Sequence, residues 1–420
     1  MPTDTDLPVV WVKTIPPDVV DKKKTYPGLP AGTKVLVTVG GFVSDAVVSL
    51  LVSNKCKVTT LGERGTNAVG VVESAKGSVT SLQCCQRAVA GQEVVIHAAR
   101  PDPTASRKDA ESFIVSGTRN MLEAATAAGV QRFVFTSSTS VIFGGADLKA
   151  VTEDTPYPSS FADPLAHAIA QAEEAVLRAN GTSSSDGNGS MLSCSIRPAP
   201  TYGPRDDTLV PSMVSRAKAG GKLIGNGSAV TDYVFVGNVA HGHLLAAQAL
   251  GKSTAGNGAG VGAGVGAGGE ETSKIGGQAF FVTDGEPLPV ADFTGRVLGG
   301  LGYGSPGPGL PVWLAALVAQ LFRLLAVLLA PLTRFEPTLT PQKVVEEGAF
   351  RYFSLGRAKA ELGYEPAWSQ EEGLEITLQD SGDLRNPLAK VKHKGPFTLE
   401  EVAKHCTEED AWIIVDSKVK

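Results

Sequence analysis

The sequence predicts an α/β fold built on a doubly wound parallel sheet. Short runs of β-branched residues alternate with helical patterns along the first third of the chain, and a pair of glycines joins the first such run to the first helical pattern. At 420 residues, the chain is long enough for a large domain of this kind together with a smaller part.

The first unit reads strand, glycine turn, helix, strand. KVLVTV (34–39) is a β-rich run, SDAVVSLLVSNKC is a helical pattern, and KVTTLG (57–62) is a second β-rich run. The pattern then repeats, because EVVIHAA (93–99) predicts a strand, 110–128 a long helix and RFVFTSS (132–138) another strand. Alternation of this sort is typical of a parallel sheet with helices on both faces.

Composition divides the rest of the chain. We expect an extended, proline-bearing N-terminal arm and one main domain, interrupted by a glycine-rich surface loop and an apolar segment and followed by a linker and a short tail. In order, these are the arm 1–32, the main domain 33–380 with the loop 251–277 and the apolar segment 310–332, the linker 381–396 and the tail 397–420.

Charge and cysteine usage exclude several classes. The net charge is −5 and no long basic block occurs, so we expect no nucleic-acid partner. The five cysteines are scattered without Cys-x-x-Cys spacing, which argues against a zinc site or a disulfide framework and favours a reducing, cytosol-facing compartment. The N-terminus is polar and broken by prolines, so a secretory signal is not expected.

Five motifs occur in a characteristic order between about Lys34 and Gln379. They are EVVIHAARPDP, GTRNMLEAATAAGVQRFVFTSSTSV, CSIRPAPTYGPRDDTLVP, DYVFVGNVAHGHLLAA and RYFSLGRAKAELGYEP. In this order they resemble the extended short-chain dehydrogenases of the 3β-hydroxysteroid and decarboxylating 4-carboxysterol 3-dehydrogenase family. The resemblance implies a Rossmann-type sheet with a smaller C-terminal substrate subdomain, and an NAD(P)-dependent oxidation of the C3 hydroxyl of a sterol during sterol biosynthesis.

The same resemblance assigns catalytic positions. It implies an active-site serine at Ser138 and a Tyr-x-x-x-Lys motif at 165–169, where this chain has Leu165 and Ile169. A phenol takes the hydroxyl proton in this reaction type, and an aliphatic side chain cannot. We therefore expect dehydrogenation to be impaired, with Ser138 either a residual catalytic group or a polar strand-end residue. Tyr157 and His167 are the nearest alternative proton carriers, but neither has a lysine four residues later.

The glycine turn is the first candidate cofactor contact. A dinucleotide site needs glycines where the first strand meets the first helix, for close approach of the pyrophosphate. Gly40, Gly41 and Phe42 occupy that turn, but Ser44 stands where the family has its last glycine.

Further candidate contacts follow other predicted strands. Glu63 and Arg64 end the second strand, where an acid binds a ribose and an arginine meets a 2′-phosphate, so NAD and NADP both stay open. The resemblance also places Ala98, Ala99 and Pro198 along the cofactor. It implies an Asp and an Asn at two further positions, which are Ser78 and Ile114 here.

The apolar segment 310–332 approaches the length of a bilayer span. Gln320 and Arg323 share one helical face, and a central arginine is costly in an inserted helix, so a helix at the membrane surface suits the segment better than a span. A buried core helix is the alternative. By resemblance, we expect the cytosolic face of the endoplasmic reticulum membrane.

The tail FTLEEVAKHCTEEDAWIIVDSKVK (397–420) resembles the start of a cytochrome b5-type domain and ends before the haem-ligand motif of that family. We expect it to bind no haem. Three functions remain open for the chain: a working sterol dehydrogenase, a non-catalytic module that binds a sterol or nucleotide, and a membrane-surface scaffold beside sterol-modifying enzymes.

Overall fold

The computed structural model describes most of the main domain and short parts of both termini. The described residues are 9–10, 28–63, 73–183, 189–225, 227–255, 275–304, 309–329, 341–387, 390–391, 406–407, 410–411, 414–415 and 418–419. Most of the predicted glycine-rich loop and of the tail therefore lies outside the described residues, as does Arg64.

Helices and strands alternate through the first half of the chain. The helices are α1 Phe42–Ser53, α2 Leu82–Val89, α3 Arg107–Ala127, α4 Pro164–Arg178, α5 Leu209–Lys218, α6 Val236–Ala255, α7 Val290–Gly300, α8 Val312–Leu329, α9 Pro341–Gly348 and α10 Gln370–Asp380. A 3₁₀ turn at Thr139–Ile142 follows the fifth strand of the main sheet along the chain, and a π-helical turn spans Ala358–Leu362.

Many of the strands are short. They are β1 Val9–Val10, β2 Lys34–Thr38, β3 Lys57–Gly62, β4 Glu73–Lys76, β5 Val94–His97, β6 Arg132–Thr136, β7 Leu148–Val151, β8 Thr182–Ser183, β9 Ser190–Pro198, β10 Thr201–Tyr202, β11 Val230–Thr231, β12 Val234–Phe235, β13 Ala279–Val282, β14 Leu288–Pro289, β15 Arg351–Phe353, β16 Lys390–Val391, β17 Cys406–Thr407, β18 Asp410–Ala411, β19 Ile414–Val415 and β20 Lys418–Val419.

Seven strands form the central parallel sheet in the order β13-β9-β6-β5-β2-β3-β4. The short β8 pairs antiparallel with β9. Chain order reverses between β2 and β5, which makes their carboxyl ends the switch point where such sheets bind ligands. The predicted doubly wound fold is confirmed.

Helices cover both faces of this sheet. Helices α1 and α6 pack together on one face, and α2, α3 and α4 pack on the other. Two hydrophobic cores result, one beneath each helical layer. The central strands β2 and β5 are buried on both sides, as the continuous apolar runs of the sequence predict.

Local sequence explains where helices α3 and α4 begin. The Ser106 hydroxyl accepts a hydrogen bond from the backbone N–H of Asp109 at the start of α3, and the Asp163 carboxylate accepts one from Leu165 at the start of α4. Side-chain oxygens at these positions satisfy backbone donors that the helix leaves free. Proline follows Asp163 as the first residue of α4, where its missing N–H costs nothing.

A second, four-stranded sheet in the order β14-β11-β15-β7 lies in the C-terminal part of the fold, with α5, α7 and α9 in the same region. The resemblance implies a smaller C-terminal substrate subdomain, and the role of this part as that subdomain stays a prediction. The predicted domain boundaries themselves stay a prediction.

Helix α8 lies at the surface of the fold. One face of small residues, Ala315 and Ala319, packs against Ile224 and Val344. The opposite face exposes large apolar side chains, namely Trp313, Leu317, Leu321 and Leu324. A buried core helix is thus excluded for the described part of this segment. In the described parts of the chain, we find no helix with both the length and the apolar character needed to cross a bilayer.

Candidate active site

The glycine turn lies at the switch point and allows a close backbone approach. A Cβ atom added at Gly40 would lie 2.8 Å from the Arg100 carbonyl oxygen and 2.9 Å from its nitrogen. Contacts this short with backbone exclude any larger residue, so Gly40 lets the loop after β5 approach the loop after β2. These two loops flank the N-terminus of α1, and a helix N-terminus is a position that would stabilise a phosphate.

The Ser44 hydroxyl already accepts hydrogen bonds from the backbone amides of the glycine turn. Its Oγ accepts hydrogen bonds from the backbone N–H of Gly40 at 3.2 Å and of Gly41 at 3.3 Å, and it donates to the Gly41 carbonyl at 2.6 Å. These are the donors that a pyrophosphate would use. Ser44 therefore caps the start of the helix itself. Phe42, the first residue of α1, is buried in the core below.

Thr38 ties the ends of β2 and β5 together. Its Oγ1 accepts hydrogen bonds from the backbone N–H of Ala98 and Ala99, at 3.0 and 2.9 Å, and lies 2.8 Å from His97 Nδ1. Burial lowers the pKa of His97 to about 4, so the ring is neutral. Because Thr38 Oγ1 already accepts two N–H groups, its own proton is the one directed at Nδ1 of the ring. This network positions Ala98 and Ala99 at the switch point.

A small cavity of about 60 Å³ opens beside the turn. Its lining includes Gly40, Glu63, Ser78, Ala99 and Phe113. An exposed carboxylate at the end of β3, beside the glycine turn, fits an adenosine ribose in residue type and position. The residues that line this cavity fit the adenosine end of a dinucleotide. The glycine turn fits the pyrophosphate only if Ser44 Oγ releases the backbone amides of Gly40 and Gly41.

Two ion pairs join the loop after β10 to the two segments beside the glycine turn, which are the loop after β5 and the first turn of α1. The Arg100 guanidinium lies over Gly41 and donates to both oxygens of Asp207 at 2.7 Å. Arg205 Nη1 donates to Asp45, in the first turn of α1, at 3.2 Å. Sequence reasoning missed Arg100, although it stands within the quoted HAARPDP motif. A cation so close to the helix N-terminus adds positive charge where a pyrophosphate would lie.

Ser138 begins the 3₁₀ turn that follows β6. It is half-buried, and its Oγ accepts hydrogen bonds from the Ser140 backbone N–H at 3.1 Å and the Ser140 hydroxyl at 2.9 Å. The hydroxyl proton of Ser138 is therefore left for another acceptor. Pro198 ends the neighbouring strand β9, so both residues lie at the carboxyl edge of the sheet.

Leu165 and Ile169 lie one turn apart on α4, which packs against the 3₁₀ turn capped by Ser138. Both are half-buried, and Ile169 contacts both hydrophobic cores. His167 is exposed to solvent, and its ring contacts that of Phe161 in a tilted arrangement with the centroids 5.0 Å apart. The interpretation of His167 as a solvent-facing helix residue is confirmed.

Tyr157 belongs to a buried polar cluster. Its hydroxyl donates to Glu173 Oε1 at 2.7 Å, and the same carboxylate accepts from Ser195 at 2.8 Å and from Arg197 Nη2 at 2.7 Å. Burial raises the pKa of Tyr157, and the neighbouring Glu173 raises it further. A catalytic phenol needs the opposite shift, so this tyrosine is not suited to accept a substrate proton.

Glu173 itself is ionised. Its burial opposes ionisation, but the charge of Arg197 and the hydrogen bonds from Arg197 and Tyr157 together keep its pKa below the ordinary value. The cluster joins α4 to β9 and so fixes the helix that carries Leu165. The Glu173–Arg197 ion pair was not predicted from the sequence, although both residues lie in segments that resemble the family.

A larger cavity of about 480 Å³ lies in the C-terminal part of the fold. Helices α5, α7 and α9 and strand β15 line it, together with Pro200 and Tyr233. Ser138, Leu165 and Ile169 are not among its lining residues. Arg351 connects the two regions, because it lines the cavity and its guanidinium carbon lies 5.3 Å from the centre of the ring of Phe143, which directly follows the 3₁₀ turn. Among the described residues, no cluster of acids, histidines and cysteines has the composition of a metal site.

Comparison with known proteins agrees with this architecture. The chain is 37% identical over 314 residues to the mouse sterol-4-alpha-carboxylate 3-dehydrogenase (decarboxylating), covering 74% of this chain and 80% of the mouse protein. It is 34% identical over 351 residues to the protein of the same name from cattle, covering 83% of this chain and 92% of the bovine one.

Solved structures agree at the level of fold. A double mutant of the dTDP-glucose 4,6-dehydratase DesIV from Streptomyces venezuelae, with NAD bound, superposes with a TM-score of 0.59 at 20% identity, covering 85% of this chain and all of that one. The profile of the 3-beta hydroxysteroid dehydrogenase/isomerase family matches residues 35–312. The chain therefore belongs to the 3-beta hydroxysteroid dehydrogenase/isomerase family.

Proposed function

We propose that this chain binds a nicotinamide dinucleotide and a sterol, and that its dehydrogenase step is impaired because Leu165 and Ile169 replace the proton-transfer pair. The observation that carries the proposal is the face of α4 beside Ser138, which presents two aliphatic side chains one turn apart. General acid–base catalysis contributes roughly 10² to 10⁴ in rate. Its loss leaves binding intact and slows turnover by about that factor.

The residues at the switch point would hold the cofactor. Glu63 would bind the adenosine ribose, Gly40 and Gly41 would face the pyrophosphate, and Ala98 and Ala99 would lie along the dinucleotide. When bound, the cofactor would accept the hydride from C3 of the sterol. Both NAD and NADP remain candidates, since Arg64 lies outside the described residues.

Ser138 would bind the sterol hydroxyl. Its Oγ accepts two hydrogen bonds from Ser140, so its own proton is available to the substrate oxygen. Neither Leu165 nor Ile169 can take the hydroxyl proton, and Tyr157 donates its proton to Glu173 instead. The chain can therefore orient the alcohol without deprotonating it.

The larger cavity would receive the sterol body. Its volume of about 480 Å³ lies within the roughly 300–1,000 Å³ range of small-molecule sites. The mouse and bovine relatives are named for a sterol carboxylate, which supports a sterol as the ligand class.

We also propose that α8 lies in the plane of a membrane, at the cytosolic face of the endoplasmic reticulum. Four large apolar side chains face outward from it, and Arg323 is exposed near them. An amphipathic helix with this pattern lies at the lipid interface. Sterol substrates dissolve in the same layer, and sterol-modifying enzymes there would be the natural neighbours.

Fluorescence titration of the purified protein with NADH and NADPH tests the binding half of the proposal. We expect saturable binding that Glu63→Gln weakens roughly tenfold, because an exposed hydrogen-bond acceptor for the ribose loses its charge. Turnover is measured in parallel with NAD or NADP and a 3β-hydroxysterol 4α-carboxylate. Binding with turnover at least 100-fold below that of the mouse relative supports the proposal. Turnover equal to the relative's contradicts it, and absence of both favours the scaffold.

A further inference from the structure

The larger cavity is apolar over much of its wall but contains several charges. Leu209, Met213, Val290 and Leu298 supply aliphatic surface. The cations that line it are Arg216, Lys222 and Arg351, and the anions are Glu346 and Glu347. The lining thus has one more cation than anion, which suits an apolar ligand with a single negative group.

Not all of these cations are equally available. Arg216 makes a two-pronged ion pair with Glu347, so its charge is already matched. Lys222 is exposed to solvent, where an ammonium gains little from one more contact. Arg351 is therefore the cation of interest among these three.

Arg351 is fixed by its strand and by an aromatic ring. Its backbone pairs with Leu148 of β7 and Thr231 of β11, so the residue lies in the middle of the second sheet. Its guanidinium lies 5.3 Å from the centre of the Phe143 ring. The sheet and the ring hold the planar group in a defined orientation.

The hydrogen-bonding capacity of Arg351 is not filled by the described residues. Its Nε is buried and has no hydrogen-bond partner among them. Burial lowers the pKa of Arg351, while Glu346, Tyr233 and Glu347 act in the opposite direction. A guanidinium whose buried Nε–H has no partner gains from a carboxylate, which can accept from Nε and an Nη together in fork geometry.

We propose that Arg351 anchors the carboxylate of an amphipathic sterol acid bound in this cavity. The proposal rests on the proposed function, and it adds the residue that selects acid over neutral sterol. The 3₁₀ turn links the two sites, because Ser138 begins it and Phe143 follows it. A carboxylate on Arg351 would thus orient the sterol ring system relative to Ser138.

Binding is measured by tryptophan fluorescence or calorimetry with three probes on the full chain. They are a 3β-hydroxysterol 4α-carboxylate, its methyl ester and the same sterol without the carboxyl group. Arg351→Met removes the charge and keeps an unbranched side chain, Arg351→Lys keeps the charge without the fork, and Lys222→Met is the matched control at the exposed rim.

The wild-type protein is expected to prefer the acid to the ester by about 10- to 100-fold. Arg351→Met should abolish this preference and leave ester affinity within about threefold, while Arg351→Lys should retain part of it and Lys222→Met nearly all. Equal binding of acid and ester by the wild type overturns the proposal. An equal loss of all three probes in Arg351→Met also overturns it, because the arginine is then structural.

The outcome is separable from that of the proposed function. NADH titration of the same preparations reports the nucleotide site without any sterol. Acid selectivity without NADH binding leaves the Arg351 proposal standing and removes the dehydrogenase-like function. NADH binding without acid selectivity does the reverse.

Discussion

Replacing Glu173 with glutamine should strongly destabilise the fold. The Glu173 side chain is fully buried, and that of its partner Arg197 is 4% exposed. The substitution leaves the guanidinium of Arg197 buried without a counter-charge and also weakens the hydrogen bonds from Tyr157 and Ser195. Removing one partner of a buried ion pair costs about 3–5 kcal/mol, so we expect a loss of that size in the free energy of unfolding.

The adjacent residue provides a matched control. Glu174 pairs with Arg178 on the same helix, but the two side chains are 46% and 74% exposed. Exposed pairs of this spacing contribute about 0.3–0.5 kcal/mol, so Glu174→Gln should be close to neutral. Urea unfolding followed by circular dichroism measures both. Equal effects of the two substitutions would refute the reasoning, and so would a Glu173→Gln loss below about 1 kcal/mol.

Three further outcomes are expected. Ser44→Ala should tighten NADH binding about three- to tenfold in a fluorescence titration, because it frees the Gly40 and Gly41 amides for a phosphate; weaker binding would show that Ser44 serves the site. Burial raises the pKa of Asp232 to about 7, so the folded state holds a proton that the unfolded state has lost, and unfolding free energy should fall by about 1 kcal/mol per pH unit between about pH 4 and 7. Asp232→Asn should reduce the slope in urea titrations by about that amount, because the pKa of Asp284, which burial raises to about 6, adds a slope of the same sign that stays; a slope unchanged from that of the wild type would assign it to other groups. Leu317→Ser combined with Leu321→Ser should abolish co-sedimentation with phospholipid vesicles, and wild-type protein that fails to co-sediment would argue against an interfacial α8.

The sheet could be predicted from sequence because its signal is local. KVLVTV and EVVIHAA are buried on both faces in the structure, so their apolar runs needed no knowledge of partners. The glycine turn could also be predicted, because the two glycines directly follow a β-rich run in the sequence. Gly40 contacts the Arg100 backbone so closely that only a glycine is tolerated there.

The contacts of the site could not be predicted in the same way. Glu173 and Arg197 are 24 residues apart in sequence, and Arg351 on β15 meets Phe143, which follows the 3₁₀ turn in a distant part of the chain. Neither pair has a periodic or spaced signature. The role of Ser44 could be predicted only in part. The sequence shows a serine at the expected glycine position, but the hydrogen bonds from two backbone amides to its hydroxyl depend on three-dimensional geometry.

Sterol oxidation by the wild-type protein, the Leu165→Tyr/Ile169→Lys double variant and the mouse relative tests the central claim most directly. NADH or NADPH formation is followed with a 3β-hydroxysterol 4α-carboxylate under identical conditions. Restoring a phenol and an ammonium on α4 should raise the rate above wild type by roughly 10² to 10⁴. A wild-type rate equal to that of the mouse relative, or a double variant no faster than wild type, would contradict the account.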